Sequence, residues 1–209
     1  MKISYAITIC NEIDEIKRLI PFLQKHKRKE DDIEILFDST NGSDEVFEYI
    51  KTLDIRWGKY PFNGDFAMYK NALALTCEGD YIFQIDADEQ VTEYMLKALP
   101  QLLELNPQAE LILIPRVNKV YGITPKHIKA WGWRINERQW INWPDSQTRI
   151  YKNNGDIKWE GKIHEKLVGA KNISTLPLEE KWALQHYKTI ERQEKQNKYY
   201  ESINESKPI

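Results

Sequence analysis

The sequence predicts an α/β protein with a doubly wound, mostly parallel sheet, and three observations carry that expectation. Short apolar runs rich in β-branched and aromatic residues alternate with segments whose apolar residues recur at helical spacing. Several of those runs end in polar or acidic residues, at Asn11 and Glu12, at Asp38, and at Asp86 and Asp88. At 209 residues, 41% of them hydrophobic, the chain can build one sizeable core, so the alternating units are expected to share one sheet.

Residues 3–9 read as a buried strand, and Ile13, Ile16, Leu19, Ile20 and Leu23 place a helix over 12–26. Residues 33–37 form a second strand ending at Asp38. The polar turn Ser-Thr-Asn-Gly-Ser follows, with Ser43 placed to cap a helix opening at Asp44. A short strand at 55–57, a glycine-containing loop, a helix over 66–76 and a strand over 81–85 continue the alternation. Residues 92–105 read as a helix stopped by Asn106-Pro107, and 111–115 and 147–151 as strands. Between them, 117–143 carry aromatic and basic residues without clear periodicity, which suits a substrate-facing segment and equally an irregular loop packed by its tryptophans. The lysine-rich tail from Lys188 reads as a terminal amphipathic helix.

The composition excludes some classes of function. A formal charge of -2 gives no bulk attraction for nucleic acid, so functional charges are expected to act locally. Cys10 and Cys77 form no CxxC pair or ladder of spacings, which makes a reducing cytoplasm the expected location. The first apolar run is followed at once by Asn-Glu-Ile-Asp-Glu where a signal peptide would need a small-residue cleavage site. No segment approaches the roughly 20 apolar residues of a membrane span, so membrane contact is expected only at the periphery, through the basic tail.

The stretch Gly-Asp-Tyr-Ile-Phe-Gln-Ile-Asp-Ala-Asp-Glu-Gln, residues 79–90, places two acids where a buried strand leaves the sheet. Residues two apart on a strand point the same way, so both carboxylates, or one through a water, can converge on one cation. Alternatively the pair solvates the strand end or caps the next helix. In doubly wound sheets ligands bind outside the carboxyl ends of the strands, so the polar residues at those ends are expected to meet at one crevice.

The ordered set AITICNE (6–12), Asp38 with Ser43-Asp44, NGDFAMYKNALA (63–74), GDYIFQIDADE (79–89) and WEGKIHEKL (159–167) resembles glycosyltransferase family 2. The resemblance covers the chain to about Tyr187 and implies the Rossmann-like GT-A fold with a smaller C-terminal acceptor-side extension. It implies a glycosyltransferase domain over 1–187, with a nucleotide-sugar-binding half at 1–116 and an acceptor and catalytic half at 117–187, and a helical tail at 188–209. The late W-x-G-x-x-H-E segment is similar to bacterial enzymes of lipopolysaccharide-core and other surface polysaccharide biosynthesis.

Carried over by the resemblance, Thr8, Cys10, Asn11, Glu12 and Asp38 cradle the nucleoside of a nucleotide-sugar donor, a UDP-sugar foremost. Glu12 also reads as a first-turn acid favoured by the helix dipole, and Asp38 as a turn former. Asp65, Lys70 and Asn71 lead into the DxD motif, Asp86-Ala87-Asp88, which would neutralise the leaving diphosphate through Mn²⁺ or Mg²⁺. Asp88, Asp86 and His164 are the expected metal ligands, with His186 the alternative histidine. An inverting displacement onto a glycan or lipid-linked glycan acceptor needs a carboxylate base. Asp145 is the first choice, with Glu165 and Glu137 open. Trp131, Trp143 or Trp159 would stack on a sugar ring, and Arg149 would pair with the diphosphate or with a nearby acid. The rivals are a phosphatase with an aspartyl nucleophile, whose DxD would follow the first strand, and a sugar-nucleotide-binding module without catalysis.

Overall fold

Side chains of the first strand are buried on both faces, and their alternation between the two sets the layers. Ile3, Tyr5, Ile7 and Ile9 enter one apolar cluster and Ala6 the other. The computed structural model describes residues 1–205. They run β1 (Ile3–Ile9), α1 (Ile13–His26), β2 (Asp32–Asp38), α2 (Asp44–Lys51), β3 (Arg56–Tyr60), α3 (Phe66–Ala74), β4 (Tyr81–Asp86), β5 (Glu89–Gln90) and α4 (Glu93–Leu105). Then follow β6 (Leu111–Ile114), β7 (Arg116–Tyr121), α5 (Pro125–Trp131), β8 (Gln147–Lys152), β9 (Lys158–Glu160), β10 (Lys166–Val168), β11 (Ile173–Thr175), β12 (Leu184–Thr189) and α6 (Ile190–Glu205).

The main sheet has the order β11-β6-β8-β4-β1-β2-β3, parallel except where β8 runs against both β4 and β6. Helices α1, α2 and α4 bury Ile16, Leu19, Val46, Ile50, Leu96 and Leu99 against one face. Helix α3 and the β9-β10 hairpin cover the other with Tyr69, Leu73, Trp159 and Leu167. The strands therefore read as continuous apolar runs because both faces are covered. As expected, Ser43 caps α2 by accepting from the Val46 N–H; Thr92, expected as the first residue of α4, instead caps it by accepting from the Met95 N–H.

Two expectations are corrected. Segment 117–143 is not wholly irregular, since it contains most of β7 and all of α5. Lys188 and Thr189 close β12, and the terminal helix begins only at Ile190. Of the tail expected over 188–209, residues 206–209 lie outside the described residues. Strand β12 pairs parallel with β7 and antiparallel with β5, making a second, three-stranded sheet directly after the DxD turn. Among the described residues no helix is long and apolar enough to cross a membrane.

Asn71 of α3 holds β9 in place. Its amide nitrogen donates to the Trp159 carbonyl at 2.8 Å and its amide oxygen accepts from the Trp159 N–H at 2.9 Å. Asn71→Ala should lower the unfolding free energy by about 1–3 kcal/mol, because two part-buried backbone groups lose their partner. Urea denaturation reads this directly, and an unshifted midpoint would show that β9 docks without the amide.

Candidate active site

Parallel pairing brings the strand ends together. Thr8 of β1 lies opposite Leu36 of β2 and Asp86 of β4, so residues 8–12, Asp38 and the DxD turn share one edge. Glu12 folds back so that its Oε2 accepts the N–H groups of Cys10 and Asn11, at 2.8 and 3.0 Å. Burial raises its carboxyl above the usual range, against those two N–H groups. The Cys10 thiol, 3.7 Å from Asp38 Oδ2, is pushed up to about 12 by burial and by the neighbouring Glu12 and Asp38 charges. It therefore stays neutral and unreactive at physiological pH.

Asp38 is buried and organises its own turn. Its Oδ1 accepts from the N–H groups of Thr40 and Phe62, and its Oδ2 from the Asn41 amide. The turn needs glycine at 42, where a Cβ would stand 2.3 Å from the Asp38 carbonyl oxygen. Asp65 caps α3 through the Met68 N–H at 2.8 Å.

Asp86 sits in a closed charge network. Its Oδ2 meets Arg149 Nη2 at 2.5 Å and its Oδ1 meets Lys70 Nζ at 3.2 Å. Lys70 also holds Glu165 at 2.7 Å and lies 4.7 Å from the centre of the Trp159 ring. Glu89, fully buried, accepts from Arg149 at 2.8 Å and from Arg116 at 3.0 Å, and its other oxygen accepts the Asp86 N–H. Burial opposes the Asp86 charge, but Arg149 and Lys70 outweigh it and hold the carboxyl well below the usual range. Arg149, left open in the sequence between diphosphate and acid, is thus paired with the acids Asp86 and Glu89.

Asp88 faces the second sheet and the terminal helix. Its Oδ2 lies 3.3 Å from His186 Nε2, 3.5 Å from Lys188 Nζ and 3.6 Å from Arg192 Nη2. Burial disfavours its charge, and the hydrogen bond and charges of these neighbours prevail, holding the carboxyl well below its ordinary range. Asp145, with φ of 36°, occupies the left-handed region in which Asp is one of the commoner non-glycine residues. Its Oδ2 accepts from Arg116 and from the Asn118 amide, and its Oδ1 from the Gln147 amide at 2.9 Å. Burial is again outweighed, by Arg116 first, so the Asp145 carboxyl is shifted down and is ionised at neutral pH.

Asn118 links these acids. Its Nδ2 donates to the Asp145 carboxylate, which orients the amide, and its Oδ1 then lies 2.7 Å from His186 Nδ1. That nitrogen must carry the hydrogen. Burial lowers the His186 pKa, and the hydrogen bond and charge of Asp88 oppose that shift. His186 Nε2 and Asp88 Oδ2 lie 3.3 Å apart, a nitrogen and an oxygen of the kinds that ligate a divalent cation.

His164 and Glu165 sit between β9 and β10. His164 is exposed with φ of 56°, whereas Glu165 reaches Lys70. The histidine that meets the DxD motif is therefore His186. Glu137 lies exposed in the stretch between α5 and β8. Trp131 stacks on His127 with centroids 5.2 Å apart, Trp143 packs on Trp140, and Trp159 is buried beneath Lys70. Sequence reasoning passed over Glu89, Arg116, Asn118, Lys188 and Arg192. The signal for three of them was present as alternation: Arg116 and Asn118 flank buried Val117, and Lys188 shares the inward face of β12 with Leu184 and His186.

An open, mostly parallel sheet whose strand ends gather a polar edge and paired acids, with a histidine beside them, is the arrangement of the GT-A fold. The chain belongs to Glycosyl transferase family 2, whose family model matches residues 4–163. Among solved structures it is similar to S. aureus TarS 1–349, with 17% identity, a TM-score of 0.60, and coverage of 90% of this chain and 60% of that one. It is similar also to the same protein in complex with UDP, with 17% identity, a TM-score of 0.62 and the same coverage. The complex of that protein with UDP-GlcNAc matches at 16% identity and a TM-score of 0.60, over 90% of this chain and 58% of that one. The chain thus spans about 60% of the length of these TarS structures. No curated protein matches the sequence.

Proposed function

We propose that the chain is an inverting, divalent-metal-dependent glycosyltransferase that moves a sugar from a nucleotide-sugar donor, a UDP-sugar foremost, to a glycan or lipid-linked glycan acceptor in surface-glycan synthesis. The observation that carries this reading is the convergence of residues 8–12, Asp38 and Asp86 to Asp88 on one edge of three adjacent parallel strands. The TarS complexes support the choice of a uridine nucleotide as the probe.

Residues 8–12 and Asp38 would hold the nucleoside. Among the described residues no three His, Cys, Asp or Glu side chains are grouped to hold a metal by themselves. That suits Mg²⁺ or Mn²⁺, which commonly take one or two protein ligands beside substrate phosphates and water. Asp88 and His186 fit as that pair, with Asn118 fixing the histidine tautomer. When bound, the ion would neutralise charge developing on the leaving diphosphate. Asp86 would act indirectly, since Arg149 and Lys70 engage it.

Asp145 is the proposed base that takes the acceptor's proton. It is ionised, and Arg116 and Asn118 anchor one oxygen while the other has Gln147. Glu165, tied to Lys70, is the alternative. The test is a panel of nucleotide sugars incubated with and without Mn²⁺, scored by released nucleoside diphosphate and by transfer to glycan acceptors. Asp145→Asn should lower kcat by about 10²–10⁴-fold, with donor KM little changed, since general-base assistance acts in the chemical step. If Glu165→Gln has that effect and Asp145→Asn does not, the base is Glu165. A donor that binds in the crevice but is never turned over with any acceptor would favour a binding module.

A further inference from the structure

The three cations deeper in the site are already matched. Lys70, Arg116 and Arg149 contact Asp86, Glu89, Asp145 and Glu165. Lys188 and Arg192 are placed differently. Both rest on the same oxygen, Asp88 Oδ2, at 3.5 and 3.6 Å. Each also has a second partner, Gln196 at 2.7 Å for Lys188 and Glu15 for Arg192. Neither residue lies within the segment matched to the family, which ends at 163.

One carboxylate oxygen cannot hold two side-chain cations and also ligate a divalent ion, because like charges at these separations repel strongly. Were Asp88 engaged by the metal, both cations would have to leave it, Arg192 keeping Glu15 and Lys188 keeping Gln196, and the donor diphosphate would supply the anion that replaces Asp88. We propose that Lys188 and Arg192 form a two-cation clamp for the donor diphosphate, parked on Asp88 until the donor arrives. The clamp rests on the nucleotide-sugar reading of the crevice. Gln196 and Glu15 serve as pivots that keep both side chains at the mouth while they exchange anions. The ammonium and the guanidinium then share with the metal the charge that accumulates on the leaving group.

The experiment titrates UDP, inorganic pyrophosphate and uridine into the full chain with saturating Mn²⁺, comparing it with the double variant Lys188→Gln, Arg192→Gln. Affinity for UDP and pyrophosphate should fall by about 10- to 100-fold, as expected for the loss of two charge-assisted contacts, while uridine binding is unchanged. The single variant Lys188→Arg, which keeps the charge, should retain most of the UDP affinity. Equal UDP and pyrophosphate affinity in the double variant overturns the clamp. So does parallel loss of uridine, which would mean that the pair shapes the crevice rather than the diphosphate site. An unmodified chain that binds pyrophosphate but neither UDP nor uridine removes the uridine nucleotide from the proposed function and leaves the clamp standing. One that binds none of the three removes both.

Discussion

Asp88→Asn should reduce metal-dependent release of nucleoside diphosphate by about 10²–10³-fold at saturating donor, the usual effect of removing one preorganised group that stabilises transition-state charge. The substitution keeps the side chain's size and removes its charge, so the main loss is electrostatic. Asp88 Oδ2 is the meeting point of His186, Lys188 and Arg192. An amide there cannot offset two cations, and its neutral oxygen is a weaker ligand for a divalent ion than the carboxylate. The remaining activity should respond weakly to added Mn²⁺, whereas that of the unmodified chain should rise and saturate. Uridine binding should survive, because the proposed nucleoside edge at residues 8–12 and Asp38 is built from different strand ends. A variant with the unmodified rate and the same Mn²⁺ response would remove Asp88 from the chemistry.

Glu89→Ala is expected to be the most damaging single change to stability. Glu89 is fully buried and its carboxylate serves Arg149, Arg116 and the Asp86 N–H together. Removing it leaves two arginines facing each other across a cavity, and breaking a buried ion pair from one side costs about 3–5 kcal/mol. Total stabilities of about 5–15 kcal/mol make that a large share. Urea denaturation should show a midpoint well below that of the unmodified chain. Adding Arg149→Met should cost much less than its effect alone, because the two residues belong to one network. Strict additivity in the double-mutant cycle would mean that the acid and the arginine are not energetically coupled. Asp86 should also lose its orientation, so the same variant should lose activity even at temperatures where it remains folded.

The sheet, its helices and the polar edge at the strand ends were legible in the chain. Local rules settle them: apolar runs covered on both faces for β1, β2 and β4, helical spacing for α1, and the side-chain cap at Ser43. The parallel order then carries their ends to one edge, which is why residues 8–12, Asp38 and the DxD acids could be grouped from sequence. The second sheet was not legible in the same way. Strands β5, β7 and β12 are short and partly polar, and they mean little until paired, Glu89 with His186 and His186 with Asn118 across up to 97 positions of sequence. Only that pairing turns His186, rather than His164, towards Asp88. Only the packing of β12 and α6 brings Lys188 and Arg192 onto the same carboxylate. Periodicity and capping are written within a few neighbouring residues, and so the sequence by itself determined the GT-A core and its strand-end acids. The partners of those acids come from distant segments whose order is set by the free energy of the whole fold, and so only the tertiary structure decided them.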